Sequence, residues 1–362
     1  MISVALNFRL KGSLVFCEAY GNGHINRTYL VKTDAGAWYI LQKINGTVFL
    51  DIPALMGNIA AVTRFLALEE PDERRVLTLV KTLDGHDYDT DGLGGFWRMY
   101  VFVTDSICLE RPETPRDLYL SGLAFGRFQR QLDSFPAATL HETIARFHDT
   151  PHRYEQLKTA AEKDIKGRLQ SALPELDFIM ARAKQAGYLM ALKAQGVLPV
   201  RVTHNDTKLN NVLFDKDTRE PLCVIDLDTV MPGLAAYDFG DTVRFGASTA
   251  AEDETDLGRV SMSLDLFKNF SRGFLKECGQ SLNQEEVRTL PDGAWAMTLE
   301  CGVRFLADYL SGDVYFRVHR ENHNLDRCRT QLRLVEDMER KRGEMDRIVE
   351  ETMQALQGTG AV

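Results

Sequence analysis

The sequence has no Cys-x-x-C pair. Its six cysteines, Cys17, Cys108, Cys223, Cys278, Cys301 and Cys328, stand far apart, which argues against zinc knuckles and disulfide scaffolding and marks most of them as reduced, buried thiols. An excess of positive charge is missing too. The formal net charge of −9 gives no general attraction to nucleic-acid phosphates or anionic lipid, so no nucleic-acid partner is expected. Long hydrophobic runs are also wanting: "MISVALNFRLKGSLVF" is too soon charged for a signal peptide, and no later stretch approaches the roughly 20 apolar residues of a membrane span. A cytoplasmic protein without a membrane partner is the expectation. No repeat or low-complexity linker interrupts the chain.

What is present is a globular composition. A length of 362 residues with 44% hydrophobic content suits two or three folding units, at roughly 150 residues each, with a buried core. "SLVFCEAY", "RTYLVKT" and "AWYILQKI" are β-rich and separated by "GNGHIN" and "DAGA", which predicts three successive antiparallel strands. In "DIPALMGNIAAVTRFLA" Asp51 caps a helix, Pro53 enters its first turn, and Leu55, Ile59, Val62, Phe65 and Leu66 recur at helical spacing. "RRVLTLVKT" and "GFWRMYVFVTD" predict two further strands around the turn "DGHDYDTDGLGG". After Thr104 the pattern turns helical, and the stretch from Asn322 to Leu356 reads as one long amphipathic helix. The expected class is α+β: residues 1–104 form a small antiparallel β-sheet lobe and residues 105–362 a larger, mainly helical lobe.

Chemistry concentrates in "VRVTHNDTKLNNVLFD", where a polar cluster richer than a turn requires lies between two strand-like segments. His204, Asp206 and Asn211 reproduce the H-x-D-x-x-x-x-N spacing of a kinase catalytic loop. A carboxylate must take or orient the proton of an attacking hydroxyl, and an amide oxygen farther along must reach the metal that neutralises phosphate. Asp206 fits the first role and Asn211 the second, with His204 a structural member of the loop; a capped loop whose polar residues satisfy one another is the plain alternative. "LCVIDLD" then ends an apolar run in Asp226 and Asp228. Asp226 lies 15 residues beyond Asn211, enough for a hairpin to return it, and in an extended segment Asp228 would face the same side and share the cation. "YGNGHINRTY" places Gly21, Asn22 and Gly23 between strands, either as a loop whose amides meet phosphate or as an ordinary hairpin turn.

These pieces, in this order, resemble the aminoglycoside phosphotransferase-like kinases, relatives of the protein kinases. Within that group "GNGHINRTYLV", "YILQKIN", "PALMGNIAAVT", "THNDTKLNNVLFD", "VIDLDTVMPGLAAYDFGDTVRFGA" and "ECGVRFLADYLSGDVYF" are similar to the N-acetylhexosamine 1-kinases. The resemblance implies a two-lobed protein-kinase-like fold, ATP as co-substrate, Mg2+ as cofactor, and transfer to the anomeric hydroxyl of N-acetylglucosamine or N-acetylgalactosamine. It places Gln42, with Lys43 next along, where a strand lysine is usual, while the helix from Asp51 to Ala67 has no glutamate and carries Gly57 at the corresponding place. Asp238, in "AAYDFGDTVRFG", takes a structural role bracing the catalytic loop rather than a metal. Phe245, Arg304 and Tyr315 are expected at the sugar, with a core phenylalanine and a buried ion pair as the alternatives for the first two. Ile40 and the backbone from Tyr100 to Thr104, Val103 included, are the adenine candidates. Two rival readings stand: a kinase of another small acceptor, such as an amino alcohol, homoserine or an aminoglycoside, to which the acidic tract "STAAEDETD" lends weight, and a nucleotide-binding regulator without turnover.

Overall fold

The structure is a computed structural model that describes residues 1–21 and 25–359. Two compact units emerge, and neither is continuous in sequence. The first comprises residues 1–108, 131–145 and 211–232; the second comprises 109–130, 146–210 and 233–362.

The first unit begins with a short helix, α1 (Ile2–Ala5), and then three antiparallel strands, β1 (Leu14–Ala19), β2 (Arg27–Thr33) and β3 (Trp38–Ile44). The helix α2 (Ile52–Glu69) follows, and Asp51 caps it by accepting from the Ala54 amide at 2.9 Å. β4 (Asp89–Thr90) and β5 (Phe96–Val101) complete a sheet of order β1-β2-β3-β5-β4. Val31, Tyr39, Leu41, Trp97 and Met99 from its strands bury against Val4, Phe8 and Val80.

The expected strand over "RRVLTLVKT" is realised only as a short pairing along β5. The Val80 amide bonds to Met99 at 2.8 Å and the Val101 amide to Thr78 at 2.9 Å, after which the chain leaves β5 to pair with Asn7 and Arg9. β4, paired with the start of β5, falls inside the segment expected to be a turn. α2 is, among the described residues, a helix long and apolar enough to cross a membrane, contrary to the expectation that no stretch approaches that length. Its apolarity serves packing: Leu55, Met56, Ile59 and Val62 are buried in the unit, and the Phe65 ring meets Phe135 edge-on at 5.2 Å.

The same unit holds a second antiparallel sheet, β6 (Ser106–Cys108), β8 (Val212–Asp215) and β9 (Pro221–Val224), in that order. The β8–β9 hairpin pairs Val212 with Val224, and the Ile225 amide bonds to the Asn211 carbonyl at 2.9 Å. The hairpin expected between Asn211 and Asp226 is therefore formed.

The second unit is helical: α3 (Pro115–Gln131), α4 (Thr150–Lys163), the short α5 (Leu173–Met180), α6 (Ala183–Ala186) and α7 (Tyr188–Ala194), then α8 (Ala235–Gly246), α9 (Leu264–Cys278), α10 (Gln284–Arg288), α11 (Leu290–Ser311) and α12 (His323–Thr359). β7 (Arg201–Thr203) leads into the loop that carries His204 and Asp206, and the chain re-enters the unit within β10 (Met231–Gly233). α12 is the long terminal helix expected, with Leu325, Cys328, Leu332, Val335 and Met338 buried. α8 lies so close to α11 that a Cβ on Gly240 would sit 2.2 Å from the Gly293 carbonyl, and one on Gly293 2.1 Å from that of Ala236.

Candidate active site

In the second unit, β7 delivers the chain into a loop whose shape is set by one buried carboxylate. Asp238, in the first turn of α8, accepts from the His204 amide at 2.9 Å, the Asn205 amide at 2.8 Å and Gln129 Nε2 at 2.6 Å. Burial raises its carboxyl, although His204 and these donors oppose the rise. The Thr207 hydroxyl donates to the Asp238 carbonyl at 2.6 Å, and Asp241 accepts from the Thr207 amide at 2.9 Å. His204 is fully buried, its ring edge-on to Phe125 and Phe128 at 5.7 and 5.9 Å. Asn205, at φ 63°, is in the left-handed region that asparagine tolerates, and it turns the chain just before Asp206.

Asp206 is only partly buried and faces Lys208, whose Nζ lies 3.0 Å from Oδ1. Burial alone would raise this carboxyl. The Lys208 ammonium, with His204 and Arg244, outweighs that and holds it below its usual range, and the same pairing pushes Lys208 up. The sequence reading gave Lys208 no role, although its charge two positions from the aspartate was the available signal.

His148 and Glu300 were missed as well. Glu300 on α11 is buried, bonded to His148 Nδ1 at 2.8 Å and to the Thr150 hydroxyl at 2.6 Å. Burial opposes its charge, yet His148 and Thr150 keep the carboxyl low. His148 Nε2 reaches the Asn205 carbonyl at 3.4 Å, which links α11 to the catalytic loop.

One turn farther along α11, Arg304 is half-buried among aromatic rings: Phe147 at 5.2 Å, Phe316 at 5.5 Å and Tyr315 at 5.8 Å. Among the described residues it forms no ion pair, so the buried-pair alternative is not what the structure shows. Tyr315 is 60% exposed. Phe245 is half-buried on α8, beside Arg244, whose guanidinium is committed to Asp241 at 2.9 Å and Glu252 at 2.8 Å.

The first unit carries the nucleotide and metal candidates. Asp226 is not extended: φ 60° and ψ 60° put it in the left-handed region, and residues Leu227–Thr229 form a 3-10 turn. The expectation that alternation aims Asp226 and Asp228 at one side is thereby corrected. Asp226 is exposed, whereas Asp228, 3% exposed, is ion-paired with Arg98 and accepts from Asn26 Nδ2 at 2.6 Å. Arg98, on β5, is 1% exposed. Burial works against its charge, and Asp228, with Asp226 behind it, raises its pKa nonetheless. Sequence reasoning missed Arg98 altogether.

Gln42 pairs with Arg98 across β3 and β5 and accepts from its Nε at 2.9 Å. Lys43, the other candidate, turns to the opposite face, 3.1 Å from Asp91 and over the Trp97 ring at 5.3 Å. Ile40 stands opposite Tyr100 in the same register. The Val101 and Phe102 amides are taken by Thr78 and Trp38 at 2.9 and 3.0 Å, while the Val103 amide makes no hydrogen bond among the described residues. Gly21 has φ 73° with open space around it; Asn22 and Gly23 lie outside the described residues.

The donor set suits magnesium. Asn211 and Asp226 carry the hard side-chain oxygens that would hold it, in stretches joined by the Ile225–Asn211 backbone bond; no group of three or more His, Cys, Asp or Glu that could hold a metal occurs among the described residues. Mg2+ commonly takes one or two protein ligands and completes its shell with phosphate and water.

An antiparallel sheet with a capped helix, followed by helices around a braced H-x-D loop, defines a protein-kinase-like phosphotransferase. The model of the phosphotransferase enzyme family (APH) matches residues 17–266, and the chain belongs to that family. Similar solved structures include a microcompartment-associated aminopropanol kinase, at 17% identity and TM-score 0.66, covering 95% of this chain and 97% of that one. An amicoumacin kinase in complex with AMP-PNP and Ca2+ follows at 15% and 0.55, covering 88% and 87%. A GDP complex of aminoglycoside 2'-phosphotransferase-IIIa matches at 16% and 0.54, covering 95% and 94%. At these identities the likeness establishes the fold.

Proposed function

We propose that this phosphotransferase uses ATP to phosphorylate the anomeric hydroxyl of an N-acetylhexosamine, giving the sugar 1-phosphate. Asp206 orients that hydroxyl and accepts its proton, with Lys208 keeping the carboxylate charged. Asn211 and Asp226 hold magnesium, which when bound neutralises charge on the transferred phosphoryl group. Ile40 lies along the adenine, and the Val103 amide, which makes no hydrogen bond among the described residues, donates to the purine edge.

The observation that carries the acceptor class is Arg304. The Arg304 guanidinium, ringed by Phe147, Tyr315 and Phe316 and without an ion pair among the described residues although Glu300 lies one turn away, disfavours an ammonium acceptor, and it suits the acetamido and hydroxyl oxygens of a neutral sugar, whose apolar face the rings can meet. The acidic tract that lends weight to a cationic aminoglycoside is partly bonded within its own unit. Glu252 pairs with Arg244 at 2.8 Å and Glu254 with Arg259 at 3.1 Å, while Asp253 meets the His323 ring at 3.1 Å.

A panel of acceptors with magnesium-ATP, read by mass spectrometry of phosphorylated product, tests the reading. N-acetylglucosamine or N-acetylgalactosamine is phosphorylated, the 1-O-methyl glycoside is not, and the product releases phosphate in mild acid. Comparable phosphorylation of the blocked sugar would defeat the 1-kinase assignment. Preference for ethanolamine, aminopropanol or an aminoglycoside would replace the sugar with an amine-bearing acceptor.

A further inference from the structure

Kinases commonly hold the phosphate-binding parts in register by a strand-lysine and helix-glutamate pair; among the described residues β3 turns Gln42 toward Arg98 and Lys43 to the opposite face, and α2 carries Gly57, with open space around it, and no glutamate before Glu69 at its end. The turn carrying Asp226 is instead tied within its own unit on every side. Asp228 is held by Arg98 from β5 and by Asn26, whose Oδ1 in turn accepts from the Asn45 amide at 3.0 Å, just past β3. The Asp228 carbonyl accepts from the Thr143 hydroxyl at 2.9 Å. The Val230 carbonyl accepts from Asn58 Nδ2 of α2 at 3.0 Å, and Asn58 also exchanges bonds with the His141 backbone at 2.8 and 2.9 Å.

These ties bear on Asp226 because of its backbone. The left-handed region is uncommon for a non-glycine residue, although aspartate enters it more readily than most, and bonds on either side fix Asp226 there. On one side of Asp226 the Ile225 amide is fixed to Asn211; on the other, Asp228 is fixed to Arg98 and Asn26. The turn thereby leaves Asp226 exposed and Asp228 buried.

Taking the kinase reading as its basis, we propose that Arg98 and Asn26 are positioning residues for the magnesium-bound nucleotide. Their clamp on Asp228, backed by Asn58 at Val230, holds the Asp226 turn in its metal-competent form and replaces the sheet-to-helix link of a lysine–glutamate pair. Asp228 is then an anchor and Asp226 the metal ligand.

The test must separate positioning from bulk stability. Removing one member of a buried ion pair strands the other, whereas replacing both with apolar residues is often neutral for stability. The double variant Arg98→Met/Asp228→Leu and the single variant Asn26→Ala are compared with wild type by calorimetric titration of ATP, across a magnesium series and in EDTA. The magnesium concentration for half-maximal gain in ATP affinity rises about 10- to 100-fold in the double variant, and in the same direction in Asn26→Ala, as when a group supporting a metal ligand is lost. ATP affinity in EDTA stays within about twofold of wild type, since the clamp acts through the cation. Magnesium curves that coincide with wild type in Asn26→Ala and in any folded double variant overturn the clamp. So does an equal loss with and without magnesium. A wild-type protein whose ATP affinity ignores magnesium overturns the kinase reading itself.

Discussion

At Asp206 two forces act against each other: burial, which favours the protonated acid, and the Lys208 ammonium, which favours the carboxylate and prevails. A base held below its ordinary pKa stays charged as pH falls, so the acid limb of kcat/KM should lie below the value near 4 of a free aspartate. In Lys208→Met burial is no longer opposed by that ammonium, and the limb should move upward, so that activity near pH 5 falls before activity near pH 8; a profile that keeps its position would show that Lys208 does not set the charge of the base. Asp206→Asn should lower kcat by about 10²- to 10⁴-fold while ATP still binds. Stopped-time product assays and ATP titration of the same preparation check both halves of that expectation.

The helices transmit the loop's geometry through close contact. α8 carries Asp238, which braces the loop, and α11 carries Glu300, which reaches it through His148. The two helices meet at Gly240 and Gly293, where even one methyl group overlaps a carbonyl oxygen. Gly240→Ala should therefore cost about 1–3 kcal/mol, as overpacking does, measured by urea denaturation, and should depress kcat more than ATP affinity because the displaced element belongs to the loop and not to the sheet. Sequence made some of this legible. His204, Asp206 and Asn211 lie within eight positions of one another, so their spacing alone suggested a loop, and the β8–β9 hairpin followed from two short apolar runs. "IDLD" misled because alternation assumes an extended backbone, while Asp226 is left-handed. Gln42 and Lys43 could not be ordered without knowing that Arg98 lies across from one and Asp91 beside the other.

On the scale of the molecule, the pairs that sequence could not foresee are those the chain closes over long separations. Arg98 and Asp228 are 130 positions apart and His148 and Glu300 are 152 apart, and no local pattern marks either partner. The division at residue 104 follows the change of pattern along the chain; the compact units instead exchange segments at 109, 131, 146, 211 and 233. A fragment of residues 1–104 would carry β1 to β5 but lack Asp228, Thr143 and Val230. Arg98 would lose its carboxylate partner, and Asn26 the acceptor it shares with Arg98. Such a fragment should show little near-ultraviolet circular dichroism and rapid proteolysis, and a well-ordered, protease-resistant fragment would contradict the importance given to the Arg98 pair.

The discontinuous first unit also sets a schedule for biosynthesis. Arg98 leaves the ribosome 130 residues ahead of Asp228, which at about 5–20 residues per second is a wait of roughly 7 to 26 seconds. Throughout that interval the nascent sheet has an arginine without its carboxylate partner, and the whole of the second unit's first two segments emerges before Asp228 does. The β-rich part, although made first, is thus finished late: β1 to β5 can pair as they emerge, but β6 has no strand partner and Arg98 no carboxylate until β8, β9 and Asp228 follow.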